Sequence, residues 1–141
     1  MTDSISKTTF EWTPAYAVGV RQIDEEHQKL FSLAETMHRA MLEGKGKSAL
    51  QSLLADLVAY TCYHFTHEEQ LMDRVGYPDY QSHRQEHEEA KSTIHAMQAR
   101  AAAGEVTMTI EVMQFLMDWV KRHVIASDCR IGRYMKASLH P

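Results

Sequence analysis

Four long stretches of this chain place apolar residues at alternating steps of three and four, and that spacing restricts the fold more than any other feature. The first runs Ile23, His27, Leu30, Ala34, Met37, Met41, and the second Leu50, Leu54, Leu57, Thr61, His64, Glu68, Leu71. The third runs His83, His87, Ala90, Ile94, Met97, Ala101, and the fourth Thr109, Met113, Leu116, Val120, His123. Such steps keep side chains on one face of a helix, the seam by which helices pack side by side. No segment alternates with period two, which argues against strands. The breaks at Gly44-Lys45-Gly46, Gly76-Tyr77-Pro78-Asp79 and Gly104 are short, so neighbouring helices must run antiparallel. The expected architecture is all-α: one domain, an up-down-up-down four-helix bundle with helices over about 22–43, 47–75, 79–103 and 107–127. An N-terminal arm (1–20) with Phe10, Trp12 and Tyr16 should pack along the bundle, and 128–141 should form a short C-terminal helical segment. Asp79, just after Pro78, is placed to cap the third helix.

Composition excludes several classes of function. Hydrophobic residues make up 44% and charged residues 24%, an ordinary soluble balance, and the net charge of −4 speaks against a nucleic-acid partner. Two cysteines, Cys62 and Cys129, are too few for a disulfide scaffold or a thiolate zinc site. The first residues, Met1 to Lys7, contain no apolar stretch of signal-peptide length, and no run approaches a membrane span. The expectation is a cytoplasmic protein with reduced, buried and inert thiols.

The seams themselves are anomalous. His27, His64, Glu68, His83, His87 and His123 sit where apolar residues belong. Burying five imidazoles and a carboxylate costs several kcal/mol unless each is paired or bound. One core histidine is usually satisfied by a hydrogen bond; six such groups, drawn from all four helices, point instead to a metal site. His64 with Glu68, and His83 with His87, are i, i+4 pairs, about 40° apart around a helix and about 6 Å apart along it. Asp128 follows His123 by five residues, and a regular helix would turn it about 140° away, so it needs a local adjustment of the helix to join the others. Seven nitrogen and oxygen donors overfill one ion and suit two if the carboxylates bridge; iron, manganese and zinc all remain open on this basis.

Other polar residues carry blander expectations. Asp24, Glu25 and Glu26, like Arg84, Gln85 and Glu86, fill positions off the seams, and Glu86, Glu88 and Glu89 read as a solvated face. His67 lies about 60° off the ligand stripe and, with His95, reads as a surface or partly buried residue. His38 belongs at a bundle end, His140 in the tail, and the nine methionines are mostly core filler.

The whole pattern resembles the hemerythrin family, specifically its single-domain bacterial branch. The match runs from Trp12 through Val18-Gly19-Val20, Ile23-Asp24-Glu25-Glu26-His27 and His64-Phe65-Thr66-His67-Glu68-Glu69. It continues through Tyr77-Pro78, His83-Arg84-Gln85-Glu86-His87 and Trp119-Val120-Lys121-Arg122-His123 to Asp128, about residues 10–136. The resemblance implies a non-haem di-iron centre with an oxo or hydroxo bridge that binds O₂ reversibly, in a protein that is not an enzyme. It implies His83, His87 and His123 on one iron, His27 and His64 on the other with an open position, and Glu68 and Asp128 bridging. It also implies an apolar O₂ pocket, for which Leu30, Phe65, Trp119 and Val120 are the candidates beside ordinary core packing. Storage, transport, or delivery through transient contact with an oxygen-using enzyme are the implied roles.

Two rivals stand beside it. An O₂- or redox-sensing module would act through a signalling partner; with an arm and tail too short for a second domain, that partner is expected to be a separate protein. A ferritin-like di-iron oxidase or peroxidase would use two Glu-x-x-His motifs; the chain has one match, Glu35-Thr36-Met37-His38.

Overall fold

The computed structural model describes residues 10–103 and 106–139. The expectations for Met1 to Lys7, Gly104 and His140, and for the Ala101 side chain, fall outside what it describes. After a 3₁₀ turn at Pro14–Tyr16 come α1 (Arg21–Leu42), α2 (Lys47–Val75), α3 (Tyr80–Ala102) and α4 (Val106–His123). A π-helical turn, Val124–Asp128, then leads into α5 (Cys129–Leu139). The architecture is an all-α, up-down-up-down four-helix bundle. Among the described residues there is no strand, and no helix is long and apolar enough to cross a membrane.

The seams face inward. Every residue of the second and fourth stretches is buried, as are Ile23, His27, Leu30, Ala34 and Met37 in the first and His83, His87, Ala90 and Ile94 in the third. Met41 and Met97, near the bundle end, are half-buried. Full burial of a Leu, Ile, Phe or Met side chain is worth about 1.5–3 kcal/mol, so Leu30, Phe31, Leu57, Phe65, Met113 and Leu116 form the main apolar support of the site.

Helix ends fix the height at which the polar seam residues meet. α2 stops at Gly76, whose φ of +66° is a left-handed conformation that costs glycine nothing, and its N–H reaches the Met72 and Asp73 carbonyls. Tyr77, buried just beyond, donates its N–H to Met72 at 2.9 Å, and Pro78 prevents continuation. Asp79 directly precedes α3, and its carbonyl accepts the His83 N–H at 3.0 Å. This turn therefore sets Glu68 on α2 level with His83 on α3. At the far end of α4, α-helical geometry stops at His123, four residues short of the expected 127, because the chain switches to i→i+5 bonding.

The arm and α5 lock each other against the bundle. Asp24 accepts the backbone N–H groups of Val18 (2.8 Å) and Gly19 (3.2 Å), tying the arm to the first turn of α1. Phe10 is buried against the His38 ring (centroids 5.0 Å apart), with Lys121 Nζ 5.5 Å from its centroid, while Trp12 and Tyr16 are half-buried. The Tyr134 hydroxyl of α5 lies 3.4 and 3.3 Å from the Val75 and Gly76 carbonyls, where it can donate to the end of α2. Gly132 lies on the arm so closely that a Cβ there would sit 1.9 Å from the Val18 carbonyl oxygen. Ala is the better helix former by about 1 kcal/mol, yet overpacking costs about 1–3 kcal/mol, and here the obstacle is backbone. Gly132→Ala is therefore expected to lower stability by about 1–2 kcal/mol in urea denaturation. A midpoint at or above that of the unsubstituted protein would mean that α5 does not rest on the arm.

Candidate metal centre

All seven predicted donors are buried and converge toward the end of the bundle where α1 and α3 begin and α2 and α4 finish. α1 contributes His27; α2 contributes His64 and Glu68 one turn apart; α3 contributes His83 and His87 one turn apart; α4 contributes His123. Asp128 arrives by way of the π turn. Bonding from i to i+5 stacks residues five apart, which a regular helix would not do, and Asp128 Oδ1 lies 2.9 Å from His123 Nε2.

The donors divide into two overlapping sets that share the carboxylates. Glu68 Oε1 lies 2.7 Å from His83 Nε2 and 3.1 Å from His87 Nε2, while Asp128 Oδ1 lies 3.0 Å from His83 Nε2. The second oxygens face the other way: Asp128 Oδ2 is 2.9 Å from His27 Nε2, and Glu68 Oε2 is 3.5 Å from His64 Nε2. Each carboxylate thus spans a three-histidine and a two-histidine group.

Behind the donors stands a layer of carboxylates that seam periodicity did not single out. Glu26 accepts from His64 Nδ1 at 2.6 Å, Glu69 from His87 Nδ1 at 2.8 Å, and Glu86 from His123 Nδ1 at 2.9 Å. Glu26 and Glu86 therefore do not belong to a solvated face; Glu26 is buried and Glu86 half-buried, whereas Glu88 and Glu89 are exposed. A signal was present: each of the three is next in sequence to a donor (His27, Glu68, His87), and a one-residue step turns a side chain about 100° toward the neighbouring helix.

This layer decides what the inner nitrogens can do. A carboxylate only accepts, so His87 and His123 carry their protons on Nδ1. Their Nε2 lone pairs then face each other at 3.2 Å, an arrangement that repels unless a positive charge lies between them. Glu68 Oε2 and both Asp128 oxygens are buried without a hydrogen-bond donor, which is costly in an apolar core. Converging lone pairs and orphaned carboxylate oxygens fit a bound cation, and histidines backed by carboxylates are the usual form of such ligands. Without a cation, protons take that role. Burial opposes charge on His83, but Asp128 and Glu68 push it up to about 9. His123 is driven up past the same burial penalty by Asp128, Glu68 and Glu86. Burial would raise the Glu68 and Asp128 carboxyls, and the Asp128 charge would raise Glu68 further; the facing imidazoles hold both below the ordinary range.

Against the two-histidine group lies a tight gap, too narrow for a water-sized molecule, lined by His27, Leu30, His64, Phe65, Trp119, Val120, His123, Val124 and Asp128. It contains all four predicted pocket residues and adds Val124. Phe65 stacks on His87 (4.1 Å, 6°) and Trp119 on His123 (4.3 Å, 15°), so two rings hold the imidazoles from the side.

The remaining predicted residues lie outside the cluster. His95 is exposed, and His67 is half-buried against Glu26. In the Glu35–His38 pair, Glu35 binds Arg39 on the surface and His38 packs on Phe10, so that motif contributes nothing to the centre. Neither thiol is fully buried: Cys62 and Cys129 are half-buried, because their positions flank the seam rather than occupy it. Partial burial still pushes the Cys62 thiol up, away from the reactive thiolate.

A family model described as the hemerythrin HHE cation binding domain matches residues 18–127. The chain is 28% identical over 127 residues to a bacteriohemerythrin of Methylococcus capsulatus, covering 89% of this chain and 96% of that protein. It is 27% identical over 129 residues to a bacteriohemerythrin of Stenotrophomonas maltophilia, covering 92% and 83%. Its fold is similar to the crystal structure of a wild-type hemerythrin, with a TM-score of 0.80 at 27% identity over 87% of this chain and 95% of that one.

The raised His83 fixes the sign of a pH effect. A folded value of about 9 against an ordinary 6.5 gives stability that is complete below 6.5 and lost as pH climbs through 9. Chelator-stripped protein should therefore melt at progressively lower temperature from pH 6.5 to 9.5, while metal uptake at pH 7 releases protons and tightens with pH. A stripped protein whose melting temperature is flat or rising over that range, with no proton release on loading, would contradict the protonated cluster.

Proposed function

The chain belongs to the hemerythrin family, and from that premise we propose that it binds O₂ reversibly at a non-haem di-iron centre. His83, His87 and His123 would hold one iron, His27 and His64 the other, with Glu68 and Asp128 bridging. When bound, the irons supply the electrons that O₂ takes up on binding. The rest is the work of the chain's own residues. Glu26, Glu69 and Glu86 keep the protons of His64, His87 and His123 on Nδ1 and so keep Nε2 available. Leu30, Phe65, Trp119 and Val120 exclude water and stray protons from the space beside His27 and His64.

One observation carries this reading: a tight, mainly apolar-walled gap lies against the group with fewer nitrogen donors. The gap is too tight for a water-sized molecule, so its apolar side chains keep water from the cluster, which suits a small uncharged ligand admitted by side-chain motion over a polar substrate. That favours a carrier, serving storage, transport or delivery, over a turnover enzyme. The five imidazoles also support iron held for O₂ binding, as against the carboxylate-rich ferritin-like oxidases.

The test is metal analysis followed by visible spectra through cycles of deoxygenation and reoxygenation. The expected result is about two irons per chain and a colourless reduced form that becomes coloured with O₂ and bleaches again under vacuum. One zinc per chain, or steady O₂ consumption with a reductant, would defeat the proposal. His123→Ala should weaken metal binding at least about tenfold, whereas His95→Ala should leave it unchanged; equal effects would remove His123 from the centre.

A further inference from the structure

Each outer carboxylate is held by a second group besides its histidine. Glu86 accepts from Ser127 Oγ at 2.8 Å, and Glu69 has Arg84 Nε at 3.8 Å. Glu26 has His67: its Oε1 accepts from His64 Nδ1, and its Oε2 accepts from His67 Nδ1. Among these three holders His67 is the one imidazole, and Glu26 is the most buried of the three carboxylates it resembles in role. His67 lies three residues after His64, so both rings project from α2 onto the same carboxylate of α1. With both oxygens engaged, Glu26 cannot rotate without breaking one of two bonds.

We propose that His67 is a positioning residue, which clamps Glu26 and through it fixes the orientation of the His64 imidazole at the two-histidine donor group. The proposal rests on the reading of His64 as a metal ligand. The geometry separates His67 from a surface histidine such as His95. Its side chain is 29% exposed, its Nδ1 points inward to Glu26, and the Tyr63 ring flanks it at 5.9 Å. Without His67, Oε2 would have no donor among the described residues, and the carboxylate would be free to turn toward solvent and draw His64 with it.

Zinc(II) is the probe, because the loaded protein is diamagnetic and needs no O₂ chemistry. Three variants are compared with the unsubstituted full-length chain: His67→Leu removes the donor, His67→Asn keeps an amide N–H near the position of Nδ1, and His95→Leu is the control. Chelator competition follows zinc release, and NMR of the ring protons follows the His64 Nδ1–H. In His67→Leu the more weakly held zinc should leave about tenfold faster, the low end of the range for outer partners, and the His64 proton should exchange faster. His67→Asn should stay within about twofold, and His95→Leu should match the unsubstituted chain. Unchanged release and an unmoved His64 signal in His67→Leu would overturn the proposal. So would a His67→Asn variant as impaired as His67→Leu, with both melting lower when stripped of metal, since that would make His67 a packing residue. If the unsubstituted chain takes up a single zinc, the two-metal reading itself falls and this inference with it. Two zincs with an indifferent His67→Leu remove this inference alone.

Discussion

The structure depends on one electrostatic constraint: five imidazoles and two carboxylates, all buried, aimed at one another inside an apolar bundle. Such groups are tolerated in a core only when every charge and lone pair is matched. The His87 and His123 lone pairs oppose each other, and three carboxylate oxygens lack donors. Positive charge at the centre resolves both conflicts together. The surrounding leucines, methionines and aromatic rings give the helices their packing, and the cluster makes that packing specific to one register.

The outer carboxylates extend the same logic around the bundle. Glu26 of α1 serves His64 of α2, Glu69 of α2 serves His87 of α3, and Glu86 of α3 serves His123 of α4. Each helix thus orients the histidine of the next. The circuit closes differently: Asp128, beyond α4, reaches His27 of α1 directly, and His27 Nδ1 is buried without a hydrogen-bond partner. The two-histidine group is therefore the less constrained of the two, and it is the one beside the tight apolar-walled gap.

Much of this was legible in the residue order, for a definite reason. Seam spacing reports which face of a helix is buried, so the placement of His64, Glu68, His83 and His87 in the core followed from steps of three and four. Spacing does not report what lies between helices. Glu26 and Glu86 look like surface residues on their own helices, and only the approach of the next helix brings a histidine to them. The half-burial of Cys62 and Cys129 was likewise beyond reach, since it depends on how closely neighbours cover the flanks of a seam. Asp128 is the instructive middle case. Its misfit to a regular helix was calculable, and the misfit itself called for a local change of helix geometry; the form of that change, a π turn, was not encoded in any period.

That π turn leads α5 back onto the arm. Four residues after Asp128, Gly132 rests on Val18 of the arm, and Val18 is tied through Asp24 to the helix that carries His27. The seven donors are thus gathered from four helices and the π turn, and five of them (His27, His64, Glu68, His83 and His87) precede α4. During synthesis, a chain that has emerged only through α3 carries most of the donors but lacks His123, Asp128 and the clasp over the arm. The donor set is therefore complete only once α4 and the π turn have joined the first three helices, so metal held by all seven donors ties the last of these elements to the first.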